Sequence, residues 1–287
     1  MTSRLKPHYR KIQTWLNDGR APERLIVHYE LERELAAQLL QAAPGQRIQV
    51  AAEAYGRLFD ELPDHPQKTR TGREAAPARP ARYLKRHLGP DITFLEIGAG
   101  DGSLSRHLAS HCKQVVAVDV TDALEPAKDA PANFRFLLSQ GVTFDLPTAS
   151  IDVAFSNQLM EHLHPDDAAA QLREVCRVLK GGGLYICRTP HRLLGPTDVS
   201  AYFDDVATGF HLKEYAFAEM AALMKQAGFS RVGFRLEAAG RVWVTAPPGP
   251  MILLERVLGA LPRRWLEPLK RNIMFGILLG MSVIAWK

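Results

Sequence analysis

The stretch Phe94-Leu95-Glu96-Ile97-Gly98-Ala99-Gly100-Asp101-Gly102-Ser103-Leu104 decides the fold. Its apolar start, Ile92 to Ile97, reads as a buried parallel strand, and a helical pattern begins at Ser103. Between them lie three glycines spaced two apart. Glycines at a strand-to-helix turn let the backbone pass close under a ligand where a Cβ would clash. The helix that follows offers free N–H groups and a partial positive charge to whatever sits there. A dinucleotide turn would read G-x-G-x-x-G. Counted from Gly98, that pattern needs glycine at position 103, where Ser103 stands. Downstream, Gln114 to Asp119 is a second apolar strand ending in a carboxylate, at the spacing where an acidic residue accepts ribose hydroxyls. Asp119 therefore points to a nucleoside, without choosing among nucleoside cofactors.

Outward from this unit, strands are expected at 92–98, 114–120, 134–139, 151–157, 183–188, 230–237 and 281–286, and helices at 102–111, 166–179 and 214–227. Alternation of this kind predicts an α/β fold: a seven-stranded, mostly parallel sheet with helices on both faces. Residues 1–88 carry helical spacing from Leu25 to Leu40 and from Ile48 to Leu62, and no strand pattern. They read as a helical N-terminal cap with a basic, proline-containing linker from Lys68 to Arg82. The domain at 89–287 includes a helical insertion at 241–280, after which the last strand completes the sheet.

The motif E-x-G-x-G-x-G, here Glu96 to Gly102, resembles the first motif of class I methyltransferases that use S-adenosylmethionine (SAM). Further segments resemble the same family in order: Gly141-Val142-Thr143-Phe144-Asp145-Leu146-Pro147 after the third strand, Ser150 to Asn157 at the fourth, Arg177 to Gly183 before the fifth, and Ala227-Gly228-Phe229 before the sixth. The resemblance implies SAM as cofactor and an antiparallel last strand. It implies a cofactor site at Glu96, Gly98, Ala99, Gly100, Gly102, Asp119, Val120, Gln140, Gly141, Val142, Asn157 and Gln158. The family commonly has an acidic residue just after the glycine of the adenine segment. Val142 stands there, which moves the adenine contact toward Gln140 or the backbone.

After the fourth strand, Glu161-His162 resembles the pair found in small-molecule and quinone-type O-methyltransferases, and the chain as a whole resembles bacterial small-molecule O-methyltransferases. His162 is the first candidate for a base, since a histidine near its ordinary pKa accepts a proton at neutral pH. Glu161 either positions it or joins it in holding a divalent ion, and no metal set is assigned. The long loop after the fifth strand adds Arg192, Asp198, Tyr202 and His211, with His211 the second candidate base; His164, beside Pro165, reads as a surface residue. The expected reaction is O-methylation of a small-molecule, glycan or lipid-linked acceptor. Carbon methylation of a quinone or polyketide-like precursor, or a non-catalytic SAM-binding protein, stands as the alternative. The amino-acceptor motif N-P-P-[YF] is replaced by Ser156-Asn157-Gln158-Leu159.

Composition narrows the setting. An apolar share of 46% over 287 residues suits a packed globular protein. Cys112, Cys176 and Cys187 form no C-x-x-C pair, and no signal peptide is visible, which together predict a cytoplasmic protein. The net charge of +5 resides entirely in residues 241–287, where seven Lys and Arg face only Glu255 and Glu267. A nucleic-acid binder would spread its charge, so none is expected as partner. Residues 250–280 mix these charges with Leu, Ile, Met, Trp265 and Phe275. They read as helices on the sheet, as a greasy lid over a lipid-like acceptor, or as a peripheral membrane contact. Oligomeric state is left open.

Overall fold

The computed structural model describes residues 4–66, 78–121, 130–270 and 272–287. Its centre is a mixed eight-stranded sheet. The strands are β1 (Thr93–Ile97), β2 (Gln114–Asp119), β3 (Phe134–Leu138), β4 (Ile151–Asn157), β5 (Leu179–Thr189), β6 (Arg231–Ala238), β7 (Arg241–Ala246) and β8 (Met281–Trp286). They lie in the order β3-β2-β1-β4-β5-β8-β6-β7. The run β3-β2-β1-β4-β5 is parallel throughout, and β8 inserts antiparallel between β5 and β6. All seven expected strands are present.

The eighth strand corrects the reading of residues 241–280 as a helical insertion without a strand. Arg241–Ala246 instead pairs antiparallel with β6 as a hairpin partner. The helical part of the insertion begins at Pro248, with α8 (Pro248–Gly259), α9 (Arg263–Lys270) and α10 (Ile273–Leu279). The unbroken apolar run from Ile273 divides at Gly280 into α10 and β8.

Side chains of each strand alternate between two cores, as strand geometry requires. Leu95, Ile97 and Ala154 face one core with α6 (Pro165–Val178), α7 (Phe217–Gln226) and α8, through Leu172, Val175, Met220, Met224 and Met251. Phe94, Val153 and Phe155 face the other with α4 (Ala78–Leu84) and α5 (Ser103–Leu108). Helices thus cover both faces. Helix α4 falls within the span read as cap and linker, yet its Tyr83 and Leu84 are buried in the sheet's own core. Apolar contact with Phe94 and Leu108 outweighs chain proximity to the cap. Of the expected linker, residues 68–77 lie outside the described residues.

The cap is α1 (Tyr9–Leu16), α2 (Pro22–Gln41) and α3 (Arg47–Glu61). Leu31, Leu35 and Leu39 of α2 meet Ala54 and Leu58 of α3, and Phe210 from the long loop after β5 closes that cluster. Polar ties follow the same joint. Tyr29 Oη donates to Asp204 at 2.5 Å, Tyr202 Oη to Asp18 at 3.1 Å, and Arg47 pairs with Asp167 at 2.5 Å. The cap is thereby fastened over the sheet edge where β1, β4 and β5 end.

Candidate active site

Strand order reverses between β1 and β4. In open α/β sheets that switch point leaves a crevice outside the carboxyl ends of the strands. The glycine turn sits there. Gly98, Gly100 and Gly102 have φ of +71°, +54° and +63°, left-handed conformations that side-chain-bearing residues rarely hold. A Cβ on Gly98 would also press on Leu159 at 3.1 Å. The turn is tied to β2: Gly98 and Ala99 N–H donate to Val118 O, and Gly100 N–H donates to Asp119 Oδ2 at 2.7 Å. Asp119 Oδ1 accepts from Val120 N–H and Thr121. The carboxylate is thus oriented by backbone amides at the mouth of the crevice. Glu96 is buried beneath the turn, where Oε2 accepts from Ser105 Oγ at 2.6 Å and burial pushes its carboxyl up to about 7. It braces α5 against β1.

Gly141, φ +84°, lies between Val120 and Ile48, the latter arriving from α3 of the cap. Its carbonyl accepts from Gln171 Nε2. Gln140 is exposed and Val142 half-buried. At the end of β4, exposed Asn157 accepts from Arg188. Gln158 stands at φ +54°, a conformation that costs a non-glycine residue about 1–3 kcal/mol and clusters at functional sites.

From Gln158 a cavity of about 660 Å³ runs under the cap, lined among others by Tyr55, His162, Asp198, Tyr202 and His211. The turn Met160–His162 and the loop after β5 bring Glu161, His162 and His211 together. One ligand atom from each lies within 4.8 Å of the others. His162 Nδ1 donates to Phe210 O at 2.9 Å, with Tyr55 Oη 3.3 Å away. Its Nε2 is left open. Burial and the neighbouring His211 lower this imidazole to about 4, so it is neutral at pH 7. Glu161 is buried. Thr189 Oγ donates to its Oε2 at 2.8 Å, its Oε1 has no partner, and burial raises its carboxyl to about 7. Burial works against charge on His211 too, but Glu214 at 3.0 Å from Nδ1, with Asp198 and Glu161 nearby, prevails and raises it to about 9.

The remaining loop candidates have structural partners. Asp198 caps the turn Val199–Tyr202 by accepting from Ser200 N–H, and also accepts from His211 N–H at 3.2 Å. Arg192 pairs with Glu219. His164 caps α6 by accepting from Asp166 N–H. Sequence reasoning passed over Glu214, which orients His211 and also receives Thr197 N–H and Oγ. It also passed over Tyr55 and Ile48, which no local pattern places near residues 162 and 141.

Fold and site together define a Rossmann-like α/β protein with a glycine-lined crevice at the switch point and a polar cavity beside it. Residues 95–187 match a family described as a methyltransferase domain. A probable S-adenosylmethionine-dependent methyltransferase of Mycobacterium tuberculosis is 33% identical over 157 residues, covering 51% of this chain and 55% of that protein. The malonyl-[acyl-carrier protein] O-methyltransferase of Serratia marcescens is 31% identical over 101 residues, 35% of this chain and 39% of that one. The chain thus spans about half the length or less of these relatives. Among solved structures, the Burkholderia thailandensis 1,6-didemethyltoxoflavin-N1-methyltransferase, with S-adenosylhomocysteine bound, superposes with a TM-score of 0.51 at 18% identity. That match covers 85% of this chain and 89% of that one, and it concerns the fold.

Proposed function

We propose that this chain transfers the methyl group of SAM to an oxygen of a small or lipid-linked acceptor. One observation carries the reading. A turn of three left-handed glycines, with Asp119 bonded into it, stands at the switch point beside a cavity that Gln158, His162 and His211 line. Asp119 takes the ribose hydroxyls. Val120, Gly141 and Ile48 flank the adenine, and the methionine end runs past Asn157 and Gln158.

The sulfonium already activates the methyl group, so the protein's main task is alignment. Holding two reactants in line contributes up to about 7–11 kcal/mol in the best intramolecular cases. As the new oxygen–carbon bond forms, the carbon–sulfur bond breaks and its electron pair stays on sulfur, giving S-adenosylhomocysteine. The acceptor's hydroxyl proton passes to His162 Nε2, the nitrogen that Phe210 O leaves open. Glu161 and His211 hold the acceptor.

The lipid-linked side of this acceptor class is favoured by the insertion. Leu253, Val257, Trp265, Leu269, Ile273 and Met274 are exposed there, in the segment that carries the chain's whole charge excess. From α10, Gly276 and Ile277 reach a second cavity that Gln158 also lines.

Calorimetry with SAM, followed by mass spectrometry for S-adenosylhomocysteine in the presence of hydroxylated acceptors, tests the reading. Saturable SAM binding and acceptor-dependent product support it. Binding of NAD in place of SAM would overturn it.

A further inference from the structure

The geometry points to a divalent first-row transition ion, of the zinc, cobalt or manganese kind, held between Glu161 Oε1, His162 Nε2 and His211 Nε2. Two imidazoles and a carboxylate are a donor set that suits these ions and leaves positions open for an exogenous ligand. The three side chains are bonded on their far sides and free on their near sides. His162 gives its Nδ1–H to the Phe210 carbonyl at 2.9 Å, and His211 gives its Nδ1–H to Glu214 at 3.0 Å. His162 therefore presents Nε2 as a lone pair, and His211 presents its own once an arriving ion displaces the Nε2 proton. Metal-bound histidines are held in this way, with the second nitrogen donating to a carbonyl or a carboxylate. Thr189 anchors Glu161 Oε2 at 2.8 Å, and Oε1 is left without a partner on a residue that is 0% exposed. A buried carboxylate oxygen with nothing to bond is costly, by about 1–3 kcal/mol. A cation removes that cost. One ligand atom from each of the three residues lies within 4.8 Å of the others. Ligands about 2.1 Å from a common ion stand roughly 3.0–3.4 Å apart, so the side chains close by about an ångström or more on binding.

A second group, His28, Glu32 and His65, has similar spacing and a different chemistry. Arg20 Nη1 donates to His28 Nδ1 at 2.7 Å, so the His28 proton sits on Nε2 and goes to Glu32 Oε1 at 2.7 Å. Both ring nitrogens are committed and no lone pair is left for an ion. That cluster is a hydrogen-bonded joint of the cap.

This inference rests on the reading of the cavity as the acceptor's place, and it recasts His162 from proton acceptor to ligand. An acceptor hydroxyl bound to the ion loses its proton to solvent at neutral pH, because a divalent ion lowers the pKa of a bound O–H by many units. The oxygen then attacks the methyl carbon, and the carbon–sulfur electron pair leaves with sulfur as before.

The test is equilibrium dialysis of the full chain against Zn²⁺ with elemental analysis, and titration with Co²⁺ followed by its visible absorbance. SAM affinity is measured in parallel. One equivalent of ion is expected, with affinity lowered at least tenfold in Glu161→Gln, His162→Ala and His211→Ala and unchanged in His28→Ala. Wild-type protein that retains no Zn²⁺, a result needing no variant, overturns the inference. So does binding that only His28→Ala abolishes. Protein that binds SAM but no ion overturns this inference alone, and protein that binds the ion but no SAM overturns the proposed function alone.

Discussion

Asp119 is set in place before any ligand arrives. Gly100, Val120 and Thr121 give it backbone N–H bonds, so its orientation does not depend on the ribose it is proposed to hold. Asp119→Ala is expected to weaken SAM binding by about 1–3 kcal/mol, measured by calorimetry. Gly98→Ala is expected to act on both binding and stability. Its Cβ would meet Leu159 at 3.1 Å in a left-handed backbone, a strain of about 1–3 kcal/mol, read as a lower Tm together with weaker SAM affinity. His162→Ala removes a group central to the proposed chemistry. Turnover is expected to fall by about 10²–10⁴-fold with SAM affinity nearly unchanged, as steady-state kinetics on an identified acceptor will report. The glycine turn and the strand ending in Asp119 were legible in sequence because the glycine spacing and the strand-end carboxylate are local signals. Glu214 was not, since a buried carboxylate that orients a histidine three residues away leaves no mark in a string of letters.

At the scale of elements, α2 is held down by a buried charge. Glu32 accepts from His28 at 2.7 Å and from Phe210 N–H at 3.1 Å, and despite burial these bonds hold its carboxyl far below the ordinary 4.5. A depressed carboxylate contributes stability that is present above 4.5 and is lost as pH falls through and below that value. Glu32→Gln is expected to destabilise the fold by about 1–3 kcal/mol at neutral pH. The difference from wild type is expected to shrink in acid, as denaturant titrations on either side of pH 4.5 will show. A gap that widened in acid would contradict the assignment. The strand that sequence reading missed has a physical explanation. β6 and β7 are joined by Ala239-Gly240, both at positive φ, the geometry of a tight hairpin turn. Asn-Gly or Asp-Gly would have announced that turn. Alanine at its first position does not, and the proline-rich stretch after Ala246 drew the whole segment toward a helical reading.

Across the whole molecule, charge and exposed apolar surface fall in one region. Trp265 is 57% exposed, Ile273 79% and Met274 61%, and residues 241–287 hold the entire net charge of +5. No helix among the described residues is long and apolar enough to cross a membrane. A surface contact needs no such helix. Liposomes containing anionic lipid are expected to retain the protein in sedimentation assays, and salt is expected to release it, since screening weakens exposed charge. Retention indifferent to lipid charge would remove the basic residues from the account. Sequence order alone placed this segment before the last strand. The return of α10 to the sheet edge depends on Leu279 and Phe275 joining the core, which is a tertiary fact.

Helix α3 touches both ends of the proposed reaction. Ile48 meets Gly141 where adenine is placed, and Tyr55 meets His162 where the acceptor is placed. Seven residues separate them, two helical turns or about 10 Å along one rigid rod. A rod cannot settle at one end and stay loose at the other. Under the proposed placement, cofactor seated against Ile48 would fix the azimuth of Tyr55, so that the first guest would prepare the berth of the second. Thermodynamic reciprocity then requires the acceptor to tighten the hold on the cofactor by the same factor. The two ligands would then be read as a pair, and a spent cofactor would leave more readily once its partner had gone.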